Sequence, residues 1–148
     1  MIKKILFSML FVALTSCGFE PIHSKKSFDI VVNELQLNGD KRINRRIISN
    51  LNIQETQSEL GYQLVLNSNK KIDIISKDKS GNASIYKTTL AVDVSLSKED
   101  GVVRNKEFNL SFSYNNIKNK FDLSEYQRNI ETNLINKITE EIFTFLSL

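Results

Sequence analysis

Residues 62–115 alternate between two kinds of side chain with a period of two, and this pattern restricts the fold most strongly. Because successive side chains of a strand point to opposite faces, it predicts three long strands with one apolar face and one face of small polar residues. Turns are predicted at residues 78–82 and at 99–101, where Asp-Gly suits a hairpin. The first face carries Tyr62, Leu64, Leu66, Ile72 and Ile74, then Thr88, Leu90, Val92, Val94 and Leu96, then Phe108, Leu110, Phe112 and Tyr114.

Two elements are predicted before these strands. Apolar residues over 28–37 alternate and then change phase, which predicts a strand with a bulge. Asp40 is suited to cap a helix over 40–52, where apolar residues recur every four positions. Residues 53–60 are rich in Gln and Glu and are interpreted as a loop rather than as more helix. The basic residues near the helix start form either a solvated flank or a phosphate-facing patch: Lys41, Arg42, Arg45 and Arg46.

The chain ends in a long amphipathic segment. Residues 122–125 resemble a capping box, and apolar residues then recur at fours, which predicts one helix over 123–148. The element order β-α-β-β-β-α predicts an α+β fold with two helices on one face of a four-stranded, mostly antiparallel sheet. The helices are expected to use up the apolar face. The polar face stays bare and suits a wet, close fit to another protein.

The N-terminus has the features of a bacterial lipoprotein signal. Lys3 and Lys4 precede ten largely apolar residues, too few to span a bilayer, and small residues then lead to the only cysteine, in Leu14-Thr15-Ser16-Cys17. We therefore predict a signal peptide over 1–16, cleavage after Ser16, and a Cys17 that carries an S-linked diacylglycerol and an N-terminal acyl chain. An ordinary signal that leaves a free thiol is the alternative.

After the predicted cleavage, residues 17–27 would form a lipidated tether and residues 28–148 one α+β domain. Gly18, rather than Asp, follows the cysteine, which favours transfer to the outer membrane over retention in the inner membrane. Loss of Lys3 and Lys4 leaves 18 basic residues of the original 20 against 17 acidic ones, spread along the chain, which argues against nucleic acid as a partner.

The sequence contains little catalytic chemistry. It has one His, one Cys and five Gly, with no Gly-rich phosphate loop and no nucleophile beside a base, so we expect neither an enzyme nor a bound cofactor. A cysteine used for lipid attachment leaves no thiolate for zinc. The phosphates of a lipid ligand would require Lys or Arg. The candidates for binding lipopolysaccharide lie on and near one predicted loop: Lys70, Lys71, Lys77 and Lys79.

Several motifs occur together in a characteristic order. They are Cys17-Gly18-Phe19-Glu20-Pro21, Tyr-Gln-Leu-Val-Leu from Tyr62, Ser-Gly-Asn-Ala from Ser80 leading to Tyr86, Ser-Tyr-Asn from Ser113, and Tyr126. In these motifs the chain resembles the LPS-assembly lipoprotein family (LptE), particularly its alphaproteobacterial branch. Ile, Asn and Lys stand here where relatives are expected to have Ala and Arg.

The resemblance implies a function. Such lipoproteins plug the lumen of a large outer-membrane β-barrel in a 1:1 complex, help that barrel assemble, and help deliver lipopolysaccharide, which they bind, to the outer leaflet. The chain would then be lipid-anchored in the outer membrane and face the periplasm. Two other functions stay open: an auxiliary lipoprotein of a phospholipid-trafficking transporter, and a lipid-modifying hydrolase.

Overall fold

The computed structural model describes residues 30–58 and 61–147. Their element order confirms the predicted β-α-β-β-β-α arrangement. The predicted signal peptide 1–16, its cleavage after Ser16, the lipidated Cys17 and the tether 17–27 all lie outside the described residues. The elements are β1 (Val32–Gly39), α1 (Lys41–Leu51), β2 (Tyr62–Lys77), β3 (Ala83–Lys98), β4 (Gly101–Asn115) and α2 (Lys120–Ser147).

The four strands form one mixed sheet in the order β1-β2-β3-β4. β1 and β2 are parallel, while β2, β3 and β4 are antiparallel to their neighbours. The register of β1 shifts between Val32 and Glu34, which is the predicted bulge, although the strand spans 32–39 rather than 28–37. β1 is short and pairs only with residues 62–68 of β2. Among the described strands, residues 69–77 of β2 therefore have a neighbour, β3, on one side only.

β1 ends at a glycine for a steric reason. Gly39 has a φ of +76°, and a Cβ atom at this position would lie 2.0 Å from the carbonyl oxygen of Ser68. Only glycine fits both the left-handed backbone and this close approach. Asp40 follows at once as the predicted N-cap, because its Oδ1 accepts hydrogen bonds from the backbone N–H groups of Arg42 and Ile43, at 3.0 and 3.2 Å.

The two helices pack on the same face of the sheet, here called the core face. α1 packs on β1 and β2, α2 packs on β3 and β4, and the helices contact each other. The buried apolar side chains alternate along the strands and recur at helical spacing, as the sequence predicts. They are Val32, Ile43, Ile47, Leu51, Leu64, Leu66, Leu90, Val92, Val94, Leu96, Phe108, Tyr114, Ile130, Leu134, Ile135, Ile138, Ile142 and Leu146.

Two local predictions have different outcomes. Residues 53–58 form the predicted loop, while 59–60 lie outside the described residues. The last helix begins at Lys120, so the predicted start at Asp122 is wrong. Asn119 provides the reason, because its Oδ1 accepts the N–H of Phe121 at 2.9 Å and leaves Asp122 within the first turn.

The prediction that the helices use up the apolar face is also wrong in part. Ile72 and Ile74 keep the parity of Leu64 and Leu66, yet they are 41% and 50% exposed. α1 starts at Lys41, level with the end of β1, and α2 packs on the other two strands. No described helix therefore covers the second half of β2.

Candidate functional site

The second face of the sheet, here called the open face, carries neither of the two described helices. Its side chains are mostly small and polar, and they form rows across the strands, such as Asn69, Ala91 and Asn109. Side chains cross-link the face, since Asn67 donates to Asp93 at 3.3 Å and Lys71 pairs with Asp73 at 2.9 Å. The face consists of Glu34, Gln36, Asn38, Gln63, Val65, Asn67, Asn69, Lys71, Asp73, Ile85, Lys87, Thr89, Ala91, Asp93, Ser95, Ser97, Val102, Asn105, Glu107, Asn109, Ser111, Ser113 and Asn115.

This face can form a broad hydrated contact, because many small donors and acceptors can bind a partner directly or through water. Hydrogen-bonded side chains also hold its β1 end in place. Glu34 accepts hydrogen bonds from Gln36 and Gln63, each at 2.9 Å, and Gln63 accepts one from Ser97 at 3.2 Å. The bare polar face that the sequence predicts is therefore present, and its surface is ordered by contacts among its own side chains.

The structure does not bring the four candidate lysines together. Lys70 and Lys71 are neighbours on β2, so their side chains point to opposite faces of the sheet. Lys77 is the last residue of β2, and Lys79 lies in the turn that follows. The expectation that all four lie on and near one loop is wrong for Lys70 and Lys71, because both lie within β2, several residues before its turn.

Lys70 instead belongs to a cleft of about 150 Å³ on the core face, here called the cationic cleft. Its Nζ donates to Oε2 of Glu131 at 2.5 Å, and Nη2 of Arg42 lies 2.8 Å from Oε1 of the same carboxylate. The Glu131 side chain is only 9% exposed, whereas that of Arg42 is 65% exposed. The cleft is lined by Arg42, Lys70, Ile72, Thr88, Ser124, Gln127, Arg128 and Glu131.

Three cations and one carboxylate give this cleft an excess of positive charge. Such a site suits a carboxylate or a phosphate, because charge-assisted hydrogen bonds are stronger than neutral ones. Of the basic residues at the start of α1, Arg42 reaches the cleft, while Arg46 donates to Thr132 at 3.1 Å. Sequence reasoning missed Arg128 and Glu131, which looked like part of the solvated face of an amphipathic helix.

Tyrosines fix the start of α2 to the sheet. The rings of Tyr86 and Tyr114 stack with centroids 5.8 Å apart, and Tyr126 meets Tyr114 edge to face at 5.7 Å. The Tyr114 hydroxyl shares a hydrogen bond of 3.1 Å with the buried Thr88 hydroxyl. Three motifs of the resemblance therefore meet at one point of the core, and this packing gives them a structural role.

The turn between β2 and β3 is held by Asp78. Its carboxylate accepts the backbone N–H groups of Asn82 and Ser80, at 2.9 and 2.8 Å, and these bonds hold its pKa below the usual value. Gly81 adopts a φ of +84°, which a residue with a side chain rarely takes. The Ser-Gly-Asn motif that begins at Ser80 is thus explained by turn chemistry.

The described ranges contain no metal-binding cluster. Among residues 30–58 and 61–147, no three His, Cys, Asp or Glu side chains come together in a way that could hold a metal ion. Of the two helices in these ranges, neither combines the length and the hydrophobicity that crossing a membrane requires.

Comparisons with known proteins show similarity in structure but not in sequence. No protein-family profile and no curated protein sequence matches the chain. Rare lipoprotein B from Shewanella oneidensis matches with a TM-score of 0.57 and 14% identity, over 77% of this chain and 93% of that one. A minor lipoprotein from Acinetobacter baumannii matches with a TM-score of 0.58 and 12% identity, over 80% and 92%.

A third solved structure agrees with these two. An uncharacterized lipoprotein B from Nitrosomonas europaea matches with a TM-score of 0.61 and 8% identity, over 80% of this chain and 84% of that one. At such low identities the likeness concerns the fold alone. The chain therefore shares its α+β fold with several bacterial lipoproteins.

Proposed function

We propose that this protein is an outer-membrane lipoprotein of the LPS-assembly (LptE) type. In this proposal it fills the lumen of a large β-barrel, assists assembly of that barrel, and aids lipopolysaccharide transport to the outer leaflet. The open face is the observation that carries the proposal. It is a broad, polar, ordered surface that the chain's own helices leave bare, as a contact with a wet lumen requires.

Two independent lines support this family. The motifs from Cys17 to Tyr126 resemble the LPS-assembly lipoproteins, and rare lipoprotein B, one of the chains with the same fold, is LptE. The tyrosines of those motifs, Tyr86, Tyr114 and Tyr126, pack together around the start of α2. The same residues that carry the resemblance thus also stabilise the fold.

The dimensions of the open face are compatible with the inside of a large barrel. Strands lie about 4.8 Å apart and rise about 3.3 Å per residue, so four strands are about 15 Å wide and β3, with 16 residues, is about 50 Å long. Val65, Thr89 and Ala91 are the least polar positions near its centre, and they let a partner approach the backbone closely. A shape this long and narrow can line one wall of a channel.

The anchor in this proposal is the lipidated Cys17. A single acyl chain binds a membrane only marginally, whereas the thioether-linked diacylglycerol and the N-acyl chain together would hold the protein stably. The tether 17–27 would then link the membrane surface to β1. Labelled palmitate should be incorporated into the wild-type protein and not into the Cys17→Ala variant. Incorporation by that variant would contradict the assignment of the anchor.

The lysines keep a smaller part in the proposal. Lys77 and Lys79 lie at the end of β2 and in its turn, where they are exposed and could meet lipopolysaccharide phosphates. Lys70 and Lys71 are each paired with a carboxylate, Glu131 and Asp73. A phosphate would have to compete with those partners, so we expect Lys77 and Lys79 to contribute more to ligand binding.

The test uses one substitution at the centre of the open face. Ala91→Arg introduces a long charged side chain between Asn69 and Asn109, and we expect at least about a tenfold loss of the co-purified barrel from detergent-solubilised outer membranes. Asn133→Arg, on the exposed side of α2, is the matched control and should retain the barrel. Retention by both variants would contradict the plug.

The same pull-down separates the other functions. Recovery of an inner-membrane transporter in place of a barrel would favour an auxiliary lipoprotein of phospholipid trafficking. Depletion of the protein should lower lipopolysaccharide at the cell surface, and an unchanged level would contradict the transport function. A hydrolase would lose activity when one Ser or Asp is replaced, whereas a plug would not depend on any single one.

A further inference from the structure

Among the described residues, the second half of β2 pairs with a strand on one side only, and its other backbone edge is here called the open edge (residues 69–77). Where β1 is present, Val31 accepts the N–H of Tyr62 at 2.8 Å and Ser68 accepts the N–H of Asp40 at 2.9 Å. Even-numbered residues of β2 therefore turn their N–H and C=O groups towards β1. Beyond Ser68 this direction continues, so the backbone groups of Lys70, Ile72 and Ile74 point away from β3, to a side where no described strand lies.

Exposed isoleucines flank this edge. Ile72, Ile74 and Ile75 are all between 41% and 51% exposed. The other edge strand, β4, also exposes apolar side chains, at Val102, Val103 and Phe112. Charged side chains commonly protect a sheet edge, whereas a β-branched apolar edge is a template for a further strand. Exposed apolar side chains therefore occur at both edges, and the neighbouring cationic cleft is what distinguishes the open edge.

The cationic cleft adjoins the open edge. Lys70 and Ile72 line both, and Arg42 and Arg128 face the cleft from the two helices. A strand added beside residues 69–77 would place every second side chain on the core face, next to this excess of positive charge. Such a strand would complement the cleft with a carboxylate and would cover Ile72 and Ile74 with apolar side chains.

We propose that the open edge binds an extended segment of another protein. This segment pairs with residues 69–77 of β2, on the side where β1 lies before it ends at Gly39. The bound strand carries an acidic side chain beside Lys70 and apolar side chains beside Ile72 and Ile74. This site is separate from the open face, and the proposal does not depend on which protein supplies the strand. Main-chain hydrogen bonds would provide affinity, and the alternating side chains would provide specificity.

A second copy of this chain fits the edge poorly. If two copies paired in antiparallel fashion about Ile72, Ser76 of one would lie level with Ser68 of the other, where Gly39 already occupies the adjacent position. Pairing about Asp73 avoids this overlap but places two like charges opposite each other, which is unfavourable. The edge therefore suits a different chain better than a copy of this one.

The first experiment uses the full-length lipoprotein in detergent and the peptide Ac-Thr-Glu-Thr-Val-Thr-Val-Thr-NH2 as a probe. We expect saturable binding that protects the amides of Ile72 and Ile74 from hydrogen exchange and leaves the amide of Asp73, already bonded to β3, unchanged. The same peptide with N-methyl groups on alternate amides is the matched control and should not bind. Binding without protection of Ile72 and Ile74 would overturn the proposal.

The second experiment changes the protein. Ile72→Pro removes an outward N–H that has no part in pairing with β3, and it should weaken peptide binding at least about tenfold, whereas Ile72→Val should not. Arg128→Gln should weaken it about fivefold by removing a cation from the cleft. Equal affinity in all variants would overturn the proposal. Protection of Ile72 that rises with protein concentration in the absence of peptide would instead indicate a second copy and would also overturn it.

Discussion

The two halves of β2 have the same sequence pattern and different surroundings. Leu64 and Leu66, in the half that pairs with β1, are almost fully buried, while Ile72 and Ile74, in the other half, are 41% and 50% exposed. The first half has strands on both sides and α1 above it, whereas among the described elements the second half has β3 as its single neighbouring strand and meets α2 at the cationic cleft. The comparison shows that alternation assigns a side chain to a face of the sheet, while neighbouring elements decide whether that face is buried.

Truncation of one apolar side chain in each half tests this difference most directly. Leu66→Ala should lower the free energy of unfolding by about 2–5 kcal/mol, because it leaves a cavity in a packed core. Ile74→Ala should lower it by less than about 1 kcal/mol, because the side chain is half in solvent. Urea denaturation of the two variants measures both values. Similar losses would mean that the second half of β2 is covered after all.

Thr88 lies beside Ile72 in the sheet, near the boundary between the halves. Thr88→Val should cost about 1 kcal/mol of unfolding free energy, since it removes the partner of the Tyr114 hydroxyl. Tyr114→Phe should cost a similar amount, and the double variant should cost less than the sum. Thermal unfolding of the three variants gives the coupling. Additive losses would show that the hydrogen bond does not stabilise the boundary.

Glu131 of α2 contacts both halves of the comparison, since it pairs with Arg42 of α1, which packs over the first half of β2, and with Lys70 in the second half. Glu131→Gln removes both ion pairs and should lower the free energy of unfolding by up to about 1 kcal/mol. The loss stays small because Arg42 is largely exposed to water, which weakens its ion pair. The loss should shrink at high salt, since partly exposed pairs are screened. Unfolding at two ionic strengths measures the change. A loss that does not depend on salt would indicate packing rather than charge.

The smallest effect is expected at the turn that ends the open half. The pKa of Asp78 is lowered in the folded chain, so its contribution to the turn is present above about pH 3.8, its ordinary value, and is lost as the pH falls through the lower folded pKa. The amides of Ser80 and Asn82 should shift together in NMR spectra over that range. A titration of Asp78 at or above its ordinary pKa would contradict the hydrogen bonds described.

Much of the fold follows from local signals in the sequence. The alternation predicts β2, β3 and β4, Asp40 predicts the start of α1, and the change of phase in β1 predicts its bulge. The start of α2 was missed because Asn119, earlier in the chain, already caps the helix. Local rules for turns and caps therefore place most elements to within a few residues.

Less of the candidate site than of the fold could be predicted from the sequence. Lys70 and Lys71 are consecutive in β2, so their side chains lie on opposite faces of the sheet. The rest of the strand, up to Lys77, separates both of them from the turn. The cationic cleft joins Lys70 to Glu131, 61 residues away, and no local pattern indicates that contact. The cleft can be identified only when the packing of α2 on the sheet is known.

The end of β1 at Gly39 determines how far β2 extends beyond its neighbouring strand. Because the chain turns away there, β2 continues without β1 for about 30 Å, at about 3.3 Å per residue, before its turn. That length is close to the hydrocarbon thickness of a bilayer, about 30 Å. In the proposed barrel, a protein anchored at the periplasmic surface would thus extend three strands and the start of α2, whose Tyr126 packs on Tyr114, towards the opposite leaflet while β1 and α1 stay behind.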